Sequence, residues 1–220
     1  MSTSAPGSSR LVIVRHGETV GNSSIRYYGR TDVPLSELGR RQMHATRAAL
    51  ARRFGQSLDI TRFDPIFASP LSRAHDSATI ITGESSILIE EFVEIDFGAF
   101  EGLTADEIRE RHPADFARWT LLRLDPDYAY PQGESRAAFL ERVDRGVTRM
   151  LALFDQVHSD RCGNAIVVAH RGVIRAITQR LANVSPVIEL ASIQSLIRDS
   201  PQSPWRPEFL DDTQHLAGIK

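Results

Sequence analysis

The feature that most restricts the fold of this chain is a rhythm in which short apolar runs, each too brief for a helix, alternate with longer stretches of helical period. LVIV at 11–14 is rich in β-branched residues, residues 64–68 include Ile66 and Phe67, ILI stands at 87–89, and AIVVA at 165–169. Uninterrupted runs of this length read as strands covered on both faces. Between them, Ser36 is placed to cap a helix that sets Met43, Leu50 and Phe54 on one face and stops at Gly55. Arg47 interrupts that stripe and must snorkel to its edge, with Arg41 and Arg52 toward solvent. A second helix is predicted from Ser72 to near Gly83. A third, over 135–156, spaces Phe139, Val143, Val147, Met150, Leu151 and Phe154 amphipathically, and a fourth follows Gly172 with Ile174, Ile177 and Leu181 on its apolar side. Strand then helix, repeated, predicts an α/β fold: three α/β/α layers around a mainly parallel sheet.

Residues 97–133 break the rhythm. Thr104 followed by Glu107 signals one capped helix, and Trp119, Tyr128 and Tyr130 stand in a loop-rich stretch, either lining an apolar wall or packing. This segment is expected to cap the carboxyl ends of the strands. Residues 1–9, small and polar, read as a disordered tail, which leaves 10–220 as a single domain without repeats or a linker. Residues 193–198 are expected to form an edge strand. A net charge of −2 with both signs dispersed supplies no field for nucleic acid or an anionic membrane. No apolar run approaches the roughly 20 residues of a membrane span, and the start lacks a signal pattern, so a soluble cytoplasmic protein is expected. Cys162, the sole cysteine, excludes an internal disulfide and a cysteine zinc framework, and reads as an inert loop thiol.

Three of the apolar runs lead into similar chemistry: Val14 into Arg15 and His16, Ala68 into Ser69 through Arg73, Ala169 into His170. Ligands of open α/β sheets bind beyond the carboxyl ends of the strands, so these groups should converge there, with Asn22 close behind. Guanidinium forks and N–H donors suit the equatorial oxygens of a transferring phosphoryl group, and an imidazole can attack phosphorus and hold the group covalently. Zinc on His16, His75 and His170 is disfavoured, because no i, i+4 histidine pair exists and the arginines repel a cation. His75 reads as a helix-surface or supporting residue. His44, His112, His158 and His215 read as solvent-facing, and the arginines of 40–53 as a solvated surface.

The blocks RHGETVGN from Arg15, YGRTDVPLSELGRRQ from Tyr28, SPLSRAHDSA from Ser69, EIDFGAFEG from Glu94, PQGES from Pro131 and AHRGVIRAI from Ala169 together resemble the histidine phosphatase superfamily, in its phosphoglycerate-mutase-like branch. The resemblance implies that His16 is a phosphorylated nucleophile, that Arg15, Arg73 and His170 bind phosphoryl oxygens, and that Glu94 is the general acid, with Asp96 in reserve. Asn22, Gly29 and Thr31 join the substrate-binding set. It implies no metal or organic cofactor, a small-molecule phosphoester as partner, and a homodimer. HRGVIR looks like the HGGVIR of family phosphatases and unlike the HGNSLR of the mutases, whose long inserts are also missing, so hydrolysis is expected rather than mutase transfer. Arg171 replaces the usual Gly, an extra cation suited to a doubly anionic substrate. PQGES is similar to fructose-2,6-bisphosphatases, but HRGV is not their HQAV, which ranks a sugar bisphosphate below a general phosphomonoester. A non-catalytic phosphate-binding protein would be expected to have lost a nucleophile or clamp, and each is present here.

Overall fold

The computed structural model describes residues 7–55, 63–158 and 161–219. Its elements run β1 (Ser9–Arg15), α1 (Glu37–Phe54), β2 (Ile66–Ala68), α2 (Ser72–Thr82), β3 (Ile87–Leu88), α3 (Ala105–Arg111), α4 (Pro113–Leu122), α5 (Arg136–His158), β4 (Asn164–Ala169), α6 (Arg171–Ala182), β5 (Ile193–Arg198) and β6 (Arg206–Asp212). The strands form one six-stranded sheet in the order β3-β2-β4-β1-β5-β6. β3, β2, β4 and β1 are parallel, and β5 and β6 add on antiparallel.

The central strands are apolar throughout because both faces are covered. Along β1, Leu11 and Ile13 face a core built with Val143, Val147, Met150 and Phe154 of α5 and Ile174 and Ile177 of α6. Val12 and Val14 face the opposite core with Met43, Leu50 and Phe54 of α1 and Ala74, Ala78 and Ile81 of α2. β4 alternates in the same way, Ala165, Val167 and Ala169 to one side and Ile166 and Val168 to the other. The three-layer α/β/α architecture follows. Among the described residues no helix is long and apolar enough to cross a membrane.

Register sets where chemistry gathers. Val14 of β1 pairs with Val168 of β4, and Ala68 of β2 pairs with the same Val168. The His16 N–H then reaches the Ala169 carbonyl at 3.1 Å and the Ser69 N–H the Val168 carbonyl at 3.1 Å. The residues that follow three neighbouring strands therefore emerge level.

Several expectations need correction. β1 starts at Ser9, which is fully buried, so the strand takes in the end of the expected tail; residues 1–6 lie outside the described residues. β3 is two exposed residues rather than a buried run, and Ile89 turns into the core alone. β5 is interior: β6, unexpected in a stretch reading RPEFLDD, covers it, anchored by Arg10 of β1, whose Nε and Nη2 each donate at 2.9 Å to Glu208, which also accepts from Ser195 Oγ at 2.7 Å. Residues 97–133 hold two α-helices, not one, after a 3-10 turn at Gly98–Phe100. Thr104 closes a full capping box with Glu107 on α3, and His112, half-buried against Phe100, joins α3 to α4. His158 packs on Phe154 with ring centroids 4.5 Å apart, and His215 Nε2 lies 3.0 Å from Thr46 Oγ1, so neither faces solvent freely. The arginines of 40–53 are partly structural: Arg53 pairs with Asp212 at 3.1 Å and covers the Phe209 ring, and Arg47 donates to the Ile80 carbonyl.

Candidate active site

The loop after β1 leaves the sheet through a crossing that glycine alone permits. A Cβ on Gly17 would lie 2.6 Å from the Gly39 carbonyl oxygen, and one on Gly39 would strike the Glu18 carbonyl, so the loop and the first turn of α1 touch backbone to backbone. Buried Glu18 folds the loop on itself by accepting from the Thr19 N–H at 2.9 Å and Ser23 Oγ at 2.8 Å.

That loop fixes His16. Its Nδ1 lies 2.7 Å from the Gly17 carbonyl oxygen, which can only accept, so Nδ1 carries the proton and Nε2 keeps the lone pair. Burial, then Arg73 and Arg15, push the imidazole well below its ordinary pKa, against the opposing effect of the Gly17 bond. His170 lies beside it, ring centroids 5.1 Å apart and interplanar angle 59°. Its Nε2 is 2.8 Å from Ser69 Oγ, and burial, then Arg73, His16 and Arg15, hold it neutral as well.

Arg73, at the start of α2, is fully buried and held by carbonyls: Nη1 donates to Thr31 at 2.8 Å, Nη2 to Gly29 at 2.6 Å and to Tyr28 at 3.3 Å. The loop that offers them is held in turn by Glu101, whose carboxylate accepts the N–H groups of Gly29, Arg30, Thr31 and Phe97. Arg15 donates to the Ile188 carbonyl at 3.2 Å. Burial and the nearby Arg171 lower its pKa, but a guanidinium so perturbed still carries its charge at neutral pH.

Glu94, also buried, accepts the Ile95 N–H at 3.0 Å and the Gly172 N–H at 2.9 Å, so it sits on the N-terminus of α6. A Cβ on Gly172 would come 2.4 Å from Glu94 Oε1. Arg142 of α5 fixes the approach to this residue, donating to the Glu91 and Val93 carbonyls at 2.8 Å each while pairing with Glu134.

Arg15, His16, Arg73, Glu94 and His170 therefore come together. Arg15 Nε, Arg73 Nε and His170 Nδ1 are buried without a hydrogen-bond partner among the described residues. Gly29 and Thr31 hold Arg73 through their carbonyls, while their N–H groups are taken by Glu101. Asn22 turns the chain at φ 61°, its carbonyl accepting from Ile25 and Arg26 and its side chain exposed. Asp96 accepts the Gly98 N–H at 2.8 Å, a turn-forming task. Sequence reasoning gave no role to Ser69, Glu101 or Arg142, although Ser69 and Glu101 lie inside the recognised blocks.

The loop before β5 completes the wall. Ile188, buried and β-branched, adopts φ 60°, a costly conformation held by Asp211 of β6, whose carboxylate accepts the Val187 and Ile188 N–H groups at 2.9 Å each. Among the described residues no cluster of three or more His, Cys, Asp or Glu could hold a metal ion.

The family model described as histidine phosphatase superfamily (branch 1) matches residues 11–193, the stretch that contains every one of the converging residues. The chain belongs to that superfamily. This histidine phosphatase superfamily member is 34% identical to an acid phosphatase of Mycobacterium tuberculosis over 172 residues, covering 78% of this chain and 74% of that protein. It is 37% identical over 151 residues, 66% of its length, to the bifunctional protein Rv2228c of Mycobacterium tuberculosis, but spans only 38% of that relative. Among solved structures, it resembles a mycobacterial glucosyl-3-phosphoglycerate phosphatase with a TM-score of 0.71 and 29% identity, over 94% of this chain and 100% of that one.

Proposed function

We propose that this chain is a metal-independent phosphomonoesterase that takes the phosphoryl group of a small phosphoester onto His16 Nε2 and delivers it to water. The observation that carries the reading is a set of buried nitrogens with no partner among the described residues, Arg15 Nε, Arg73 Nε and His170 Nδ1, on the three residues around an imidazole whose tautomer is locked. A buried donor without an acceptor is costly, and phosphoryl oxygens are acceptors of the right charge. His170 can take the tautomer in which Ser69 Oγ donates to its Nε2 and its proton stands on Nδ1, which then serves as a further donor.

In the first step the His16 Nε2 lone pair forms the N–P bond while the P–O bond to the alcohol breaks, and Glu94 in its acid form gives its proton to the departing oxygen. In the second, the Glu94 carboxylate removes a proton from water, the water oxygen bonds to phosphorus, and the N–P bond returns its electrons to Nε2. Arg15 and Arg73 neutralise the equatorial charge in both steps, the task a metal performs in other phosphoryl-transfer sites. The names of the relatives, an acid phosphatase and a glucosyl-3-phosphoglycerate phosphatase, support phosphoester hydrolysis, and HRGVIR supports water over a second alcohol as acceptor. A single unpaired cysteine suits a reducing cytoplasm.

Hydrolysis of p-nitrophenyl phosphate in EDTA tests this. Turnover should persist with chelator and fall about 10³-fold or more in His16→Ala, and acid-labile phosphate should be trapped on the wild type alone. Activity untouched by the substitution removes His16 as nucleophile.

A further inference from the structure

The mouth of the pocket carries a cation that the two-step reaction does not use. Arg171 follows His170 directly and is the first residue of α6. It is exposed, yet its position is fixed: Nε donates to the Ile188 carbonyl at 3.2 Å, the same oxygen that accepts from Arg15 Nη1 at 3.2 Å. One carbonyl thus holds two guanidinium groups, one inside the phosphoryl pocket and one at its rim. Arg175, a turn further along α6, donates to the preceding Pro186 and Val187 carbonyls, so the loop aligns three arginines side by side.

Like charges so close repel, and Arg171 is near enough to depress Arg15. Among the described residues no carboxylate forms an ion pair with Arg171, and its Nη groups are not engaged. The cap supplies another cation: Arg123 lies over the Trp119 ring at 5.3 Å, Trp119 meets Tyr27 edge-on at 5.9 Å, and the charges of Arg123 and Arg171 both act on the half-buried Tyr27 phenol. A fixed, exposed guanidinium without an ion-pair partner, next to His170 and sharing a carbonyl with Arg15, favours a ligand with negative charge beyond its phosphoryl group.

We infer that Arg171 anchors a second anion subsite at the pocket mouth, which takes a carboxylate or a further phosphate on the alcohol side of the phosphomonoester. The subsite rests on the phosphatase reading for its substrate but not for its ligand chemistry. Alcohol parts bearing such a group are drawn to the rim while the phosphoryl group enters between Arg15 and Arg73, and neutral alcohols of the same size lose that attachment.

The test compares the wild type, Arg171→Ala and Arg171→Lys on 3-phosphoglycerate, fructose 1,6-bisphosphate and glycerol 3-phosphate. Arg171→Ala should lower kcat/KM, chiefly through KM, about ten-fold more for at least one doubly anionic substrate than for glycerol 3-phosphate, with Lys intermediate. The substrate that suffers distinguishes carboxylate from phosphate. An equal loss on all three, or a wild type that favours glycerol 3-phosphate, overturns the subsite and leaves the phosphatase standing. Calorimetry of the same three ligands on His16→Ala, with and without Arg171→Ala, needs no turnover. Tighter binding of a doubly anionic ligand that is lost with Arg171 supports the subsite even if hydrolysis fails, and equal binding of all three sinks it.

Discussion

His16 and His170 lie buried and neutral among arginines, and that state has a thermodynamic signature. Each folded pKa is below the unfolded value of about 6.5, so in acid the unfolded chain binds more protons than the folded one. The stability they contribute is complete above about pH 6.5 and is lost as pH falls below it, with a slope of up to about 1.4 kcal/mol per pH unit for each group. Urea unfolding between about pH 6.5 and 5 should show this decline, flattened in His16→Asn; an unchanged slope would mean that His16 is charged in the fold. The identities of the converging side chains were legible in the sequence because they follow apolar runs. What supports them was not. Gly29 and Thr31 act through carbonyls, and a carbonyl leaves no mark on residue type. Ser69 and Glu101 show their purpose only when His170 and the 28–31 loop are brought to them from distant parts of the chain.

Among the elements, α5 shows what an amphipathic pattern conveys and what it omits. Of the residues that announced the buried face, Phe139, Val143, Val147, Met150 and Phe154 are buried, while Leu151 lies half-buried at its edge. Arg142, partly buried beside them, has no place in such a pattern, yet it joins α5 to the turn before Glu94 and to Glu134. Arg142→Ala leaves two carbonyls and a carboxylate without their donor, which should cost about 2–4 kcal/mol in denaturant titration. It should also lower kcat, because Val93 adjoins Glu94. Reduced stability with unchanged kcat would show that the Gly172 N–H positions Glu94 unaided. The sheet was readable at its centre for the same reason that its margins were not. β1 and β4 are covered on both faces and read as unbroken apolar runs, whereas β3 is two exposed residues and β6 mixes proline and charge with Phe209 and Leu210.

Across the whole molecule, the pocket depends on a strand remote from it in sequence. Asp211 lies beyond the matched stretch of 11–193, and through Val187 and Ile188 it sets the carbonyl that holds Arg15 and Arg171. Asp211→Ala should let Ile188 relax from φ 60° and raise KM for phosphoesters about ten-fold, with a smaller rise in Asp211→Asn, which keeps one acceptor. Steady-state kinetics on the two variants measures this, and equal KM values in both variants and the wild type would detach β6 from the pocket. Evolution thus has a lever at the far end of the chain. Drift in the β5–β6 hairpin can shift the arginine pair, and with it the ranking of substrates, while RHGET and AHRG stay the same letter for letter. Two descendants could then part ways in metabolism without a single substitution among Arg15, His16, Arg73 and His170.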